Sequence, residues 1–176
     1  MRSPPGEFAS MRLLRKAGLL LSLFLIEAAY RSRYGVTLCT RAGPMRGVRL
    51  VLLRDGCVLL VRHRYAPWAW TLPGGGVRRG ETSEQALVRE TREETGFRLR
   101  AIGGAIGIYV GPMRRDDRIE VFYADDFEAP SAPGGNFEII ARAWFDLDRL
   151  PEDLSPASRR RIEAYRRGVR GERGDW

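Results

Sequence analysis

The residues best suited to chemistry lie between Leu72 and Phe97, in LPGGGVRRGETSEQALVRETREETGF, where three consecutive glycines precede Glu81, Glu90, Glu93 and Glu94. Clustered carboxylate oxygens suit a hard divalent cation such as Mg2+ or Mn2+, which keeps several waters and bridges to substrate phosphates. Gly74, Gly75 and Gly76 carry no side chain to hold a ligand away from the backbone, and free N–H groups at a helix start favour phosphate. A phosphate loop beside a carboxylate cation site is a pattern for phosphoryl chemistry. The acids also stand out against the rest of the chain, whose net charge is +8.

Such a cluster needs an element to hold it. Between Thr82 and Thr95 there is neither Gly nor Pro, and Thr82 or Ser83 can cap the start, so the spacing predicts a helix of about three and a half turns. Glu90 and Glu94 fall one turn apart with Glu93 at the neighbouring i+3 position, which puts the three carboxylates on one face. Arg89 and Arg92 stand close by, so a salt-bridged surface helix is the competing reading of the same spacing.

The wider pattern resembles the Nudix hydrolases. Their box runs Gly, five residues, Glu, seven residues, Arg-Glu, an apolar residue, any residue, Glu-Glu, any residue, Gly, apolar. Here it begins at Gly75 and Glu81, continues through Arg89-Glu90 and Glu93-Glu94, and closes at Gly96-Phe97. Thr91 departs from it, standing where a larger apolar residue is usual. The similarity of pattern extends from about Gly47 to Ile162.

The resemblance implies an α+β fold, a mixed sheet sandwiched between helices, with the box as loop-helix-loop. It further implies hydrolysis of a phosphoanhydride in a nucleoside diphosphate linked to another group. Glu90, Glu93 and Glu94 would hold Mg2+ or Mn2+, with the Gly74 carbonyl as an added ligand and Glu81 as a weaker or water-mediated contributor. Arg89 would orient a box glutamate by ion pairing. The catalytic base is either Glu93 or an acid on a later stretch, where NFEIIARAWF offers Glu138 but has Ala141 where a second acid often falls.

Around the box, Gly75, Gly76 and Arg78 are candidates for phosphate contacts. His63, the only histidine, follows a strand and precedes RYAPW; it is read either as a group at the substrate mouth or as a satisfied core or surface side chain. Trp68 and Tyr65 could stack on a base or pack beneath the loop. Arg114, with Arg115 and Arg118, borders a loop where it could hold a distal phosphate, and Pro112 in the same loop falls about where ADP-ribose-cleaving relatives carry a proline.

With 176 residues and 44% hydrophobic content, the chain suits one domain plus extensions. Residues 1–10 read as a disordered leader and 11–34 as an apolar helix with a basic start. That helix is too short to span a membrane and offers no good small-x-small cleavage site; it would dock on its own domain, on a second copy as a homodimer, or on a membrane surface, with an export signal as the remaining alternative. Residues 40–168 form the domain and 169–176 a frayed tail. Asp55-Gly56 joins two β-type runs as a hairpin, YAPWAW reads as an aromatic turn, FRLRAIGGAIGIYV, RIEVFYADD and IIARAWFDL as strands, and Ser155-Pro156 as the start of a last helix ending near Gly168.

Cys39 and Cys57 have neither zinc-site nor disulfide spacing, which makes reduced thiols in the cytoplasm the default, with membrane association through the first helix as a variant. The partner is a small nucleotide-type substrate. The arginine excess leaves nucleic acid open, as in an RNA 5′-pyrophosphohydrolase, and a catalytically idle nucleotide-binding module is the remaining alternative.

Overall fold

The computed structural model describes residues 44–111, 114–129 and 138–176. The leader, the apolar helix over 11–34, Cys39 and Pro112 lie outside the described residues. Among those described, no helix is long and apolar enough to cross a membrane.

β1 (Arg46–Arg54) and β2 (Cys57–His63) form the expected hairpin. Asp55 and Gly56 both take positive φ, 49° and 76°, as a two-residue turn matched to strand twist requires. β3 (Ala66–Thr71), α1 (Ser83–Thr95), β4 (Arg98–Leu99) and β5 (Gly104–Val110) follow. The chain continues through β6 (Arg118–Ala124), β7 (Phe127–Glu128), β8 (Ile139–Asp146), α2 (Pro156–Arg166) and β9 (Glu172–Asp175). β1 pairs in parallel with β6 and β5 with β9, while β2 pairs antiparallel with β1, β3 and β8. The main sheet is therefore mixed, and a small β4–β7 ladder stands apart from it.

β1 sorts its side chains by parity. Val48, Leu50 and Leu52 pack with Ala86 and Leu87 of α1, whereas Val51 and Leu53 pack with Ile162 and Ala164 of α2. One helix thus covers each face, the α/β/α sandwich expected from the sequence.

Two expectations, the aromatic turn and the frayed tail, are corrected. YAPWAW is not a turn but strand β3, paired with β2 through Val61–Thr71 and His63–Ala66. Pro67 sits at an exposed position of that strand, where a missing N–H is tolerated. The segment FRLRAIGGAIGIYV supplies strands as expected, β4 and β5, separated by residues 100–103, and β5 opens at Gly104 with φ of 147°. The tail is not frayed: β9 adds to β5, Glu172 accepts the Tyr109 hydroxyl at 2.7 Å, and Trp176 packs on the core beside Tyr109. The last helix stops at Arg166, two residues short of positive-φ Gly168.

Candidate active site

The glycine loop is bound to β1 before it reaches the helix. Leu50 N–H donates to the Pro73 carbonyl and Val48 N–H to the Gly75 carbonyl, both at 2.9 Å, and Val77 N–H returns to the Arg46 carbonyl. Contact is close enough to require glycine at Gly74 and to make an added side chain at Gly75 displace a neighbour. A Cβ on Gly74, whose φ is 135°, would fall 2.2 Å from the Val48 carbonyl oxygen, and one on Gly75 would fall 2.5 Å from the Glu90 carboxylate.

α1 begins on a capping box. Thr82 Oγ1 accepts from Gln85 N–H at 3.2 Å, and Gln85 Oε1 accepts from Thr82 N–H at 2.9 Å. It ends on Gly96 in the left-handed conformation, whose N–H reaches the Arg92 carbonyl. Between the caps, Ala86, Leu87, Thr91, Glu94 and Thr95 form the buried stripe. Thr91 is fully buried, so the one departure from the box pattern falls in the core.

The three helix carboxylates meet different surroundings. Glu94 is 3% exposed and its Oε2 accepts Gly74 N–H at 2.8 Å. Burial raises its pKa to about 8 against the lowering effect of that backbone bond and of Arg49, and the charges of Glu90 and Glu138 push it further up. Glu90 is bound by Arg89 Nη1 at 2.6 Å. Glu93 is the most open of the three, with Arg78 Nη2 and Arg89 Nη1 at 3.4 and 3.5 Å from its oxygens.

Arg89 ties this end of the site together. Its Nε and Nη2 donate to the two oxygens of Glu81, each at 2.8 Å, and Nη2 also donates to the Gly76 carbonyl at 2.9 Å. Glu81, expected as a weak or water-mediated cation ligand, also receives Arg78 N–H at 2.9 Å. In this arrangement it anchors Arg89 and the loop. The Arg89 bonds hold its carboxyl down to about 2, and the arginine is correspondingly pushed up.

His63 is not at an open mouth: it is 5% exposed on β2, with Nδ1 3.9 Å from Glu94 Oε1 and its ring stacked on Tyr65 at 4.8 Å. Glu138 lies just before β8, its carbonyl accepting Arg64 N–H at 2.7 Å. Its influence on Glu94 places it within electrostatic range of the helix. Arg114 is engaged elsewhere, with Nε and Nη2 at 3.0 and 3.2 Å from the Asp116 carboxylate. Two arginines escaped the sequence reading: Arg49 on β1, which acts on Glu94, and Arg142 on β8, whose Nη1 donates to the Thr95 carbonyl at the end of α1. Neither carries a motif, because both approach the helix from distant strands.

Among the described residues, no three carboxylate, imidazole or thiol groups converge tightly enough to enclose an ion. The donor set nevertheless fits a hard cation: Glu90, Glu93 and Glu94 offer oxygen only, and the repulsion that Glu94 feels from Glu90 and Glu138 is what a divalent charge relieves.

A mixed sheet between two helices, with a glycine loop feeding a capped helix of carboxylates, defines the Nudix class of fold. A family model described as the NUDIX domain matches residues 43–165. The chain is 33% identical over 120 residues to a protein of Bacillus subtilis named putative 8-oxo-dGTP diphosphatase, covering 68% of this chain and 78% of that one. It is 32% identical over 113 residues to the ADP-ribose pyrophosphatase of Methanocaldococcus jannaschii, covering 62% and 66%. Of solved structures, a MutT NUDIX hydrolase from Burkholderia pseudomallei is similar, with a TM-score of 0.61 and 30% identity over 69% of this chain and 98% of that chain. The chain belongs to the Nudix hydrolase family.

Proposed function

We propose that this Nudix protein hydrolyses a phosphoanhydride bond in a nucleoside diphosphate linked to another group, with Mg2+ or Mn2+ as cofactor, in the cytoplasm. The observation that carries this reading is Glu94: a buried carboxylate fixed by a loop N–H and crowded by Glu90 and Glu138.

Glu90, Glu93 and Glu94 would hold the cation, which neutralises the diphosphate and lowers the pKa of a nearby water. The Gly74 carbonyl remains a candidate ligand. The backbone of Gly75–Gly76 and the exposed Arg78 guanidinium receive the phosphates at the start of the box. Glu138 removes the proton from the attacking water; the new P–O bond forms as the bridging oxygen leaves with its phosphoryl group. Glu138 is preferred over Glu93 as base because Glu93 faces Arg78 and Arg89, while Glu138 comes from the segment before β8 and acts on Glu94. His63 keeps Glu94 enclosed from the β2 side.

The test is a substrate panel with Mg2+, covering 8-oxo-dGTP, ordinary nucleoside triphosphates, ADP-ribose, sugar nucleotides, dinucleoside polyphosphates and 5′-triphosphorylated RNA. Cleavage of a nucleotide compound with a mild salt response supports the reading. Cleavage of RNA alone, falling steeply with salt, moves the assignment to the RNA 5′-pyrophosphohydrolases. Nucleotide binding without turnover of any compound makes the protein a binding module.

A further inference from the structure

Thr95, the last residue of α1, is fully buried, and its carbonyl belongs to the helix-end set that finds no N–H donor within the helix. Arg142 fills that need from β8. It stands opposite Val61 in the β2–β8 ladder, four positions after Glu138. Between the two residues the ladder slips: Arg62 faces Ala141 and His63 faces Ile139, which leaves Ile140 without a partner and 44% exposed. Beyond the slip, Arg64 N–H holds the Glu138 carbonyl. A bulge of this kind bends its strand and re-aims the residues that follow. The stretch from Glu138 to Arg142 is therefore pinned at one end to the β2–β3 turn and at the other to the helix that bears Glu93 and Glu94.

We propose that Arg142 is a positioning residue, which sets Glu138 against the Glu93–Glu94 end of α1 by gripping the Thr95 carbonyl. The positive charge of Arg142 also sits at the end of the helix where the dipole is negative. Its planar guanidinium enters from a neighbouring strand, so the tether fixes direction as well as distance. Without it, the buried carbonyl loses its donor and the bulged stretch loses its tie to α1, held from then on from the β2 side alone. This inference rests on the reading of Glu138 as the base, and the test separates the two.

The first arm is hydrogen exchange on the metal-free protein. Arg142→Ala should speed exchange across 138–142 and at the C-terminal turn of α1 by tenfold or more, leaving 143–146 protected. Unchanged exchange in both segments overturns the proposal. The second arm is a kinetic cycle of wild type, Glu138→Gln, Arg142→Ala and the double variant, on a compound the protein hydrolyses. Arg142→Ala should lower kcat about tenfold with KM within twofold, Arg142→Lys should recover most of it, and the loss should vanish in the Glu138→Gln background. An equal loss in both backgrounds means that Arg142 only stabilises the fold, which contradicts the proposal. If Glu138→Gln retains full kcat, the base assignment fails, while the exchange arm still decides whether the tether exists.

Discussion

Gly74 N–H donates to Glu94 Oε2 at 2.8 Å, so the glycine loop and the carboxylate helix are joined through an acid that is almost wholly buried. With the Arg89–Gly76 bond, it makes the loop and the helix a single unit, and the neighbouring glycines have separable roles within it. A Cβ at Gly74 meets strand backbone in a left-handed conformation, whereas a Cβ at Gly75 meets the end of the Glu90 side chain. Gly74→Ala is expected to destabilise by about 1–3 kcal/mol or more, read as a lower Tm. Gly75→Ala should keep the fold and displace Glu90, weakening Mn2+ binding; equal effects of the two variants on Tm would contradict this division.

The protonation of Glu94 gives the metal-free protein a pH dependence of definite sign. Its folded pKa, about 8, lies above the ordinary value of 4.5, so the folded state holds the proton more tightly. The associated stability is fully present below pH 4.5 and is lost as pH rises through 8. In chelator, Tm should fall between about pH 5 and 8 and level off above that, and excess Mg2+ should reduce the fall by replacing the proton. Glu94→Gln, which has no proton to lose, should show a smaller decline; a slope identical to wild type would rule out Glu94 as its source.

Glu81 behaves oppositely. Its carboxyl is held down to about 2 by Arg89, so its contribution is present above pH 4.5 and disappears as pH falls through about 2. Glu81→Gln should cost about 1.5–3 kcal/mol at neutral pH, the usual range for a charge-assisted hydrogen bond. The difference in urea stability between variant and wild type should narrow as the pH is lowered from 6 toward 2.5, and a constant difference would show that the pair contributes no ionic stabilisation.

Thr91 marks a site where the sequence departs from the box without touching the chemistry. The residue is fully buried and its Oγ1 has no hydrogen-bond partner among the described residues. Thr91→Val removes a desolvated hydroxyl at nearly constant shape and should stabilise by about 1 kcal/mol, or about 2–4 °C in Tm, with turnover unchanged. A fall in Tm would mean the hydroxyl is satisfied in solution.

What the sequence revealed about these residues follows from the range of the interactions involved. The helix was readable because its caps are local: Thr82, Gln85 and Gly96 act within four residues of their partners. The β1–β2 hairpin was readable from Asp55-Gly56 for the same reason. β3 was missed because Pro67 and the aromatics suggest a turn, and its pairing depends on where β2 runs. β9 was missed because ERGD has no strand pattern; its anchors, Tyr109 and Val110, are more than sixty residues away in sequence. At the site, spacing placed three glutamates on one face, but only the packed structure separates the buried Glu94 from the open Glu93. His63 beside Glu94, Arg49 and Arg142 are all tertiary neighbours, and no local pattern announces them.

The most direct test of the account is a comparison of wild type with Glu94→Gln at pH 8, measuring Mn2+ affinity by EPR and Mg2+-dependent hydrolysis of the best panel substrate. Mn2+ binding should weaken by about 10–100-fold and hydrolysis should fall by about 100-fold or more, in a variant whose metal-free Tm is at least that of wild type. A Glu94→Gln protein that binds Mn2+ and turns over substrate like wild type would contradict it.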